Sequence, residues 1–267
     1  MPEHTSFFSY LIAQFPALGE NMHRIFGQSV SGKPVTVHQL EPLVASAFVT
    51  LLILMLGAVV GGQVRNREKA AVPDANLSLR TFFELFIGYF YDMMKEMMGP
   101  KKAKRYFPIV GTCALFIFFS NIMGLIPGLT PPTSTWNITW GCALVVFVAF
   151  NFYGLKENGF GYLAHLAGPW LGWAFLPVNL LVLPIEIIST CMRPFTLSIR
   201  LMLNMAVDHL LVTLIAAMFA FFLPIPILML GTIVALVQVL VFCLLTSVYI
   251  SLATEHDESH GGEAHAH

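Results

Sequence analysis

The sequence predicts an all-α integral membrane protein with five membrane-embedded helices plus one amphipathic surface helix, the last two embedded helices forming a long tilted hairpin. Three observations carry that prediction. Of 267 residues, 57% are hydrophobic and only 11% are charged, less than half of the roughly 25% that a soluble domain carries. The apolar residues gather into runs of about 20, the length that crosses roughly 30 Å of hydrocarbon as a helix. A core holding 23 Phe would need a charged shell that this composition lacks, so lipid must cover much of the surface.

Residues 1–40 read as an extracytoplasmic arm. The opening MPEHTSFFSYLIAQF has no basic n-region and no small-residue cleavage site, so no removable signal peptide is expected. The membrane domain covers 41–254. Its first span, residues 42–62, contains LVASAFVTLLILMLGAVVGG and ends at Arg65 and Arg67. Residues 77–98 carry Arg80, Glu84, Asp92, Lys95 and Glu96, too many charges for a span. With Asp74 or Ser78 as a cap and aromatics at helical spacing, they predict a helix lying on the membrane surface; an internal helix of a soluble subdomain is the alternative. A second span, 107–127, follows Lys101, Lys102, Lys104 and Arg105, and a third, 137–154, precedes Lys156.

From residue 170 to 254 the chain is apolar, interrupted by Pro177, Pro184, Pro194, Pro224 and Pro226, and Leu223-Pro224-Ile225-Pro226 reads as a turn. The arm before it, 175–222, would be roughly 70 Å long as a helix, more than twice the bilayer core. It holds either two spans or one steeply tilted helix, and the return helix covers 226–254. Nine of the 14 Lys and Arg residues lie between Arg65 and Arg105. The positive-inside rule makes that side, and Lys156, cytoplasmic, with the amino terminus and the 127–137 loop outside. One tilted helix and its return then bring the carboxyl terminus inside.

Other features read blandly. The four cysteines, Cys113, Cys142, Cys191 and Cys243, have no metal or disulfide spacing and read as buried thiols. The tail, 255–267, holds four histidines among acids; without a rigid scaffold it reads as a solvated disordered tail rather than a metal site. His165 reads as interfacial. A net charge of −1 gives no basic surface for nucleic acid. No Gly-rich phosphate loop and no Ser/His/Asp order is present, so neither a cofactor, direct nucleotide binding nor catalysis by the chain itself is expected.

Chemistry concentrates in the two long arms. Charged groups inside a membrane are costly and mark function by default, and here they are Glu186, Arg193, Arg200, Asp208 and His209, joined by the neutral Asn204 and Gln238. Glu186, Arg193 and Arg200 are seven apart, so each lies about 20° from the last on one helical face. Asn204 and Asp208 continue the stripe, and Gln238 sits mid-way along the partner helix, where it can face it. Guanidinium keeps its proton at working pH, so Arg200 cannot relay one. As a permanent cation it can gate, attracting a partner's carboxylate, or it can pair structurally with an acid such as Asp208. Spacing alone leaves both open. Glu186, Asp208 and His209 can exchange protons and suit flanking access routes.

The segment R-P-F-T-L-S-I-R-L-M-L-N-M, residues 193–205, resembles the signature of subunit a of F-type ATP synthases, an arginine followed by Leu and, four residues on, Asn. Arg200, Leu201 and Asn204 match it, as do Ser198 and Met205; Asn121 in F-S-N-I-M-G-L-I-P, Gln238 and the closing T-S-V-Y-I-S-L-A extend the likeness over residues 40–254. The resemblance implies a proton-translocating stator subunit whose tilted hairpin faces a ring of c subunits, each with a mid-membrane carboxylate, beside a b-subunit peripheral stalk. The basic inner loop, the outer amino-terminal arm and the lack of an organelle presequence point to a bacterial plasma membrane. It gives Arg200 the role of ion gate between two half-channels, places Glu186 and Ser189 near the cytoplasmic one, and places Asn204, His209 and Gln238 near the other. Arg193 is a second basic group. Two positions depart from the pattern: Leu203 stands where a small residue is usual, and Gly231 where a polar or titratable one is. Asp208 is the candidate to supply the group absent at Gly231. A self-contained secondary transporter is the alternative, though the halves show no internal repeat; an intramembrane enzyme using His209 and Asp208 lacks a nucleophile or metal triad.

Overall fold

The computed structural model describes residues 7, 14, 37–64, 78–126, 128–158, 176–218 and 224–254. The rest of the amino-terminal arm, Arg65, Arg67, Asp74, His165, Leu223 of the turn and the tail 255–267 lie outside the described residues. What is described is helical: α1 (Val37–Val64), α2 (Leu79–Gly124), a 3₁₀ turn (Pro132–Ser134), α3 (Trp136–Asn158), α4 (Leu176–Met218) and α5 (Pro224–Thr254). All five α-helices hold a stretch long and apolar enough to cross a membrane. The chain is an all-α, multi-pass membrane protein.

Two of the expected helices are joined within α2. Ser78 caps the first, its Oγ accepting from the Thr81 N–H at 3.3 Å, the role the sequence leaves to Asp74 or Ser78. The helical path breaks at Gly99, with φ 78° and ψ 163°, a conformation open essentially to glycine alone; Pro100 then starts the second limb. The limbs 79–98 and 100–124 lie antiparallel. Tyr91 meets Phe107 near the break, and Phe82 and Phe86 meet Phe118 at the far end, with centroids 5.5, 5.7 and 5.0 Å apart. Phe83, Phe90, Met94 and Met98 are buried, while Asp92, Lys95 and Glu96 are exposed. The amphipathic pattern of 79–98 is therefore real, and its apolar stripe is covered by the next helix. The sequence reading starts that helix at residue 107; it starts at Pro100, because Gly99 and Pro100 turn the chain without a loop.

Two opposite ends of the bundle are defined by contacts. At one, Lys102 Nζ donates to the Thr254 carbonyl at 2.8 Å, capping the last turn of α5 with a cation, where the helix dipole favours it. Tyr106 packs on Tyr153 there, at 4.5 Å, close to Lys156. At the other end Thr130 donates to Glu41 at 3.0 Å, tying α1 to the 128–135 loop. Between them Tyr106, Phe150 and Phe242 are fully buried. In this core α5 packs chiefly along α2, and α4 along α3.

The arm left as two spans or one is a single helix, continuous through Pro184 and Pro194 over 43 residues. At 1.5 Å per residue it is roughly 65 Å long, so it must tilt to lie in a bilayer. It pairs antiparallel with α5. Arg193 sits on Tyr249 and Asn204 on Gln238, eleven residues on along α4 and eleven back along α5, so both contacts keep one register.

Candidate functional site

Helix α4 has two unlike faces. Thr190, Leu197, Ser198, Leu201 and Met205 are buried, whereas Ile188, Met192, Leu203, Val207 and Leu210 are exposed. Glu186, Arg193, Arg200, Asn204 and Asp208 run between them, each half-buried. The polar stripe expected from spacing thus lies along the edge of an open apolar face. Ser189 is exposed near the same edge, and half-buried His209 is rotated about 100° from Asp208. The hairpin's charge is all on α4, since α5 carries no ionisable acid or base of the Asp, Glu, Lys, Arg or His kinds.

Each stripe residue is held differently. The Arg193 guanidinium stacks over the Tyr249 ring at 5.2 Å, a cation–π contact that fixes it against α5. Asn204 Nδ2 donates to Gln238 Oε1 at 2.8 Å, stitching the two helices at mid-hairpin. Arg200 makes no hydrogen bond or ion pair with any described residue, and neither does Asp208. Eight residues separate them, about 12 Å along the axis, so the structural pair left open by spacing does not form. Ser198, matched in the motif, is fully buried and its hydroxyl donates to the Phe195 carbonyl at 2.9 Å; its part is packing.

A polar cluster continues from Gln238 toward the α1 end. Gln238 is 4% exposed, and its Nε2 is buried without a partner among the described residues. Asn121, 1% exposed, donates to the Ala235 carbonyl at 3.4 Å, one helical turn from Gln238, and accepts from Thr133 at 3.1 Å. Ser120 Oγ is also buried with no partner among the described residues. An unpaired buried donor is costly, about 1–3 kcal/mol, so such atoms mark places where water or a transient partner is used. Thr133, Ser120 and Tyr249 escaped the sequence reading because each lies in a stretch whose composition resembles any loop or apolar helix; only their burial against polar neighbours sets them apart.

The two departures acquire physical content. A Cβ on Gly231 would come 3.3 Å from Leu125 Cδ2, so a side chain there presses on a methyl just past the end of α2. Next to it, a Cβ on Gly124 would run into the Met205 methyl and lie 2.9 Å from Pro131; α2, α4 and the loop meet too closely for anything larger. Leu203 is 48% exposed and belongs to the open apolar face, where its bulk disturbs nothing within the chain.

A family model described as ATP synthase A chain matches residues 43–251. The chain belongs to that family. Among its relatives, the ATP synthase subunit a of Sorangium cellulosum (strain So ce56) is 53% identical over 260 residues, covering 97% of this chain and all of that protein. The Geobacter sulfurreducens subunit a is 38% identical over 211 residues, 79% of this chain and 87% of its own. That of Bdellovibrio bacteriovorus is 34% identical over 225 residues, 84% and 96% of the two chains. Family membership makes this chain a membrane subunit of an ATP synthase and a component of its proton-translocating sector. Every stripe residue on α4, with Gln238 and Asn121, falls within the matched region.

Proposed function

We propose that the α4–α5 hairpin is the stator surface along which protons pass to and from a rotating ring of c subunits, with Arg200 as the gate. The observation that carries this reading is the placement of Arg200: a permanent cation, half-buried at the edge of an open apolar face, with no acid of the described chain within reach. A charge in hydrocarbon needs a partner. A carboxylate carried past this face by another subunit meets that need, and the guanidinium, which holds its own proton, bars direct proton passage. The exposed leucine, isoleucine and valine side chains of α4 supply an apolar bearing for the ring.

Glu186 and Ser189 then line the half-channel on the Lys102 side, and Asn204, Gln238, His209 and Asp208 the one on the Glu41 side. Arg193, held by Tyr249, is a fixed second charge beside the first route. The basic segment 101–105 and the end of α5 occupy one end of the bundle, which supports a cytoplasmic carboxyl terminus, an extracytoplasmic amino terminus and a bacterial plasma membrane as the site of action. The b-subunit stalk is the stator partner, nucleotide binds elsewhere in the complex, and the chain works without catalysing a covalent step.

The test is ATP-driven proton pumping in inverted membrane vesicles carrying Arg200→Ala, with passive proton leak measured after removal of the catalytic head. Loss of pumping in an assembled complex is the expected result. Normal coupled pumping would reduce Arg200 to a packing residue and return the secondary transporter to first place.

A further inference from the structure

The polar side chains that run from Gln238 toward the α1 end finish at a buried acid, Glu41. We propose that Glu41 is the outermost proton-relay group of the access route that leads to Arg200 from the α1 end of the bundle, an assignment that rests on the proposed function above. Glu41 lies outside the region matched by the family model, which begins at residue 43, and its role comes from its surroundings.

Among the described residues Glu41 is the one buried carboxylate, 2% exposed. Burying a carboxyl is unfavourable unless it is hydrogen-bonded or keeps a proton, and Thr130 Oγ1 donates to its Oε1 at 3.0 Å. Three residues along the same loop, Thr133 donates to Asn121, which donates to the Ala235 carbonyl. One turn farther in, Gln238 presents a buried Nε2 with no partner among the described residues and accepts from Asn204, four residues from Arg200. Ser120, beside Asn121, adds a second buried polar atom with no partner among the described residues. Hydroxyls and amides thus step inward from Glu41 to the stripe.

The chemistry of the steps makes an acid necessary. Thr, Asn and Gln side chains do not ionise at working pH and serve only to orient water. A proton taken from bulk water therefore needs a titratable group where the route opens. Residues 117–135, which form the loop and helix end packed against α1, contain no titratable side chain. Helix α5 offers no acid, and a Cβ at Gly231 would press on Leu125 Cδ2. Among the described residues, Glu41 at the α1 end and Asp208 on the stripe, beside His209, are then the acids that bracket the route. In the relay, Glu41 takes a proton from outer water onto a carboxylate oxygen and passes it to water held by the inner hydroxyls and amides, returning to the carboxylate; no net charge is left behind.

A purely structural Glu41, fastening α1 to the loop, is distinguished by three variants. Glu41→Gln keeps an oxygen for Thr130 but cannot relay. Glu41→Asp keeps the acid, and Thr130→Val removes the fastening bond while leaving the acid in place. The measurement is passive proton conductance through the membrane sector in vesicles stripped of the catalytic head, normalised to assembled complex. We expect Glu41→Gln to lower conductance roughly tenfold or more, as removal of a positioned proton-transfer group does, with Glu41→Asp and Thr130→Val keeping most of it. Near wild-type conductance in Glu41→Gln overturns the assignment, and so does equal loss in the Gln and Asp variants. If Glu41→Gln does not assemble, Glu41→His decides: retained conductance through another titratable group supports the relay, and lost conductance or failed assembly sinks it. Pumping by Arg200→Ala in the same membranes separates the two levels. Normal pumping there removes the gate reading itself, whereas blocked pumping with an unaffected Glu41→Gln removes only the relay.

Discussion

Gly231→Glu would place an acid on α5 at a position where this chain has none, and the neighbouring packing sets what that change costs. A Cβ there meets Leu125 Cδ2 at 3.3 Å, so that methyl must give by a few tenths of an ångström. Leu125 sits just past the end of α2, its N–H bonded to the Ile122 carbonyl at 3.0 Å, so its backbone has little freedom to retreat. Overpacking of this kind costs about 1–3 kcal/mol. At about 2–4 °C per kcal/mol for a chain of this size, the melting midpoint of the detergent-solubilised complex should fall by roughly 2–12 °C. Leu125→Ala removes the obstructing methyls, so the double variant should recover much of the loss, with a coupling of about 0.5–3 kcal/mol. Intrinsic-fluorescence melting of the two single variants and the double variant gives the cycle. If their effects add to within about 0.5 kcal/mol, Leu125 does not fill the place of a 231 side chain, and the packing argument is wrong. With both changes in place, proton uptake should also depend less on Asp208, since an acid then stands on α5.

Asp208→Asn alone should slow proton uptake through the stripped membrane sector several-fold, in line with the loss of a proton-exchanging group; an unchanged pumping rate would exclude Asp208 from the route. Gly99→Ala forces a side chain into a backbone region that costs about 1–3 kcal/mol. It should lower the amount of assembled subunit on quantitative blotting, and an unaltered level would mean the break in α2 is not needed. Tyr249→Phe should preserve coupled pumping, because a phenyl ring still faces Arg193, whereas Tyr249→Leu should impair it; equal activity in the two would show that the cation–π contact has no functional weight.

How legible the site was depends on what kind of signal each residue gives. Glu186, Arg193, Arg200, Asn204 and Asp208 were readable because a charge in apolar sequence is conspicuous and helical geometry places them on one edge. Their partners were not. Nothing local says that Arg193 would find Tyr249 instead of Glu186, or that Arg200 and Asp208 would stay apart, since both outcomes depend on how α5 lies against α4. Glu41 gives no such signal, because an acid next to Pro42 at the edge of an apolar run looks like an ordinary boundary residue; only the tertiary structure shows that it is buried and bonded to Thr130. Thr133, between prolines and serine, looks like any turn residue until Asn121 accepts its proton.

Composition and periodicity by themselves determined the class of protein, its membrane-embedded helices and the polar stripe on α4; the turn read at 223–226 is not where the chain turns, since Pro224, Ile225 and Pro226 already belong to α5. The class, the helices and the stripe follow from local rules: hydrocarbon admits only long apolar helices with their backbone satisfied, and a side chain's place on a helix is set by counting. The tertiary structure decided the rest. It folded the two limbs of α2 against each other at Gly99, set Leu125 against Gly231, and buried Glu41 against a loop 89 residues away in the chain. Each of those outcomes is a contact between distant segments, and such contacts are chosen by the packing of whole helices against one another, which no local stretch of sequence encodes.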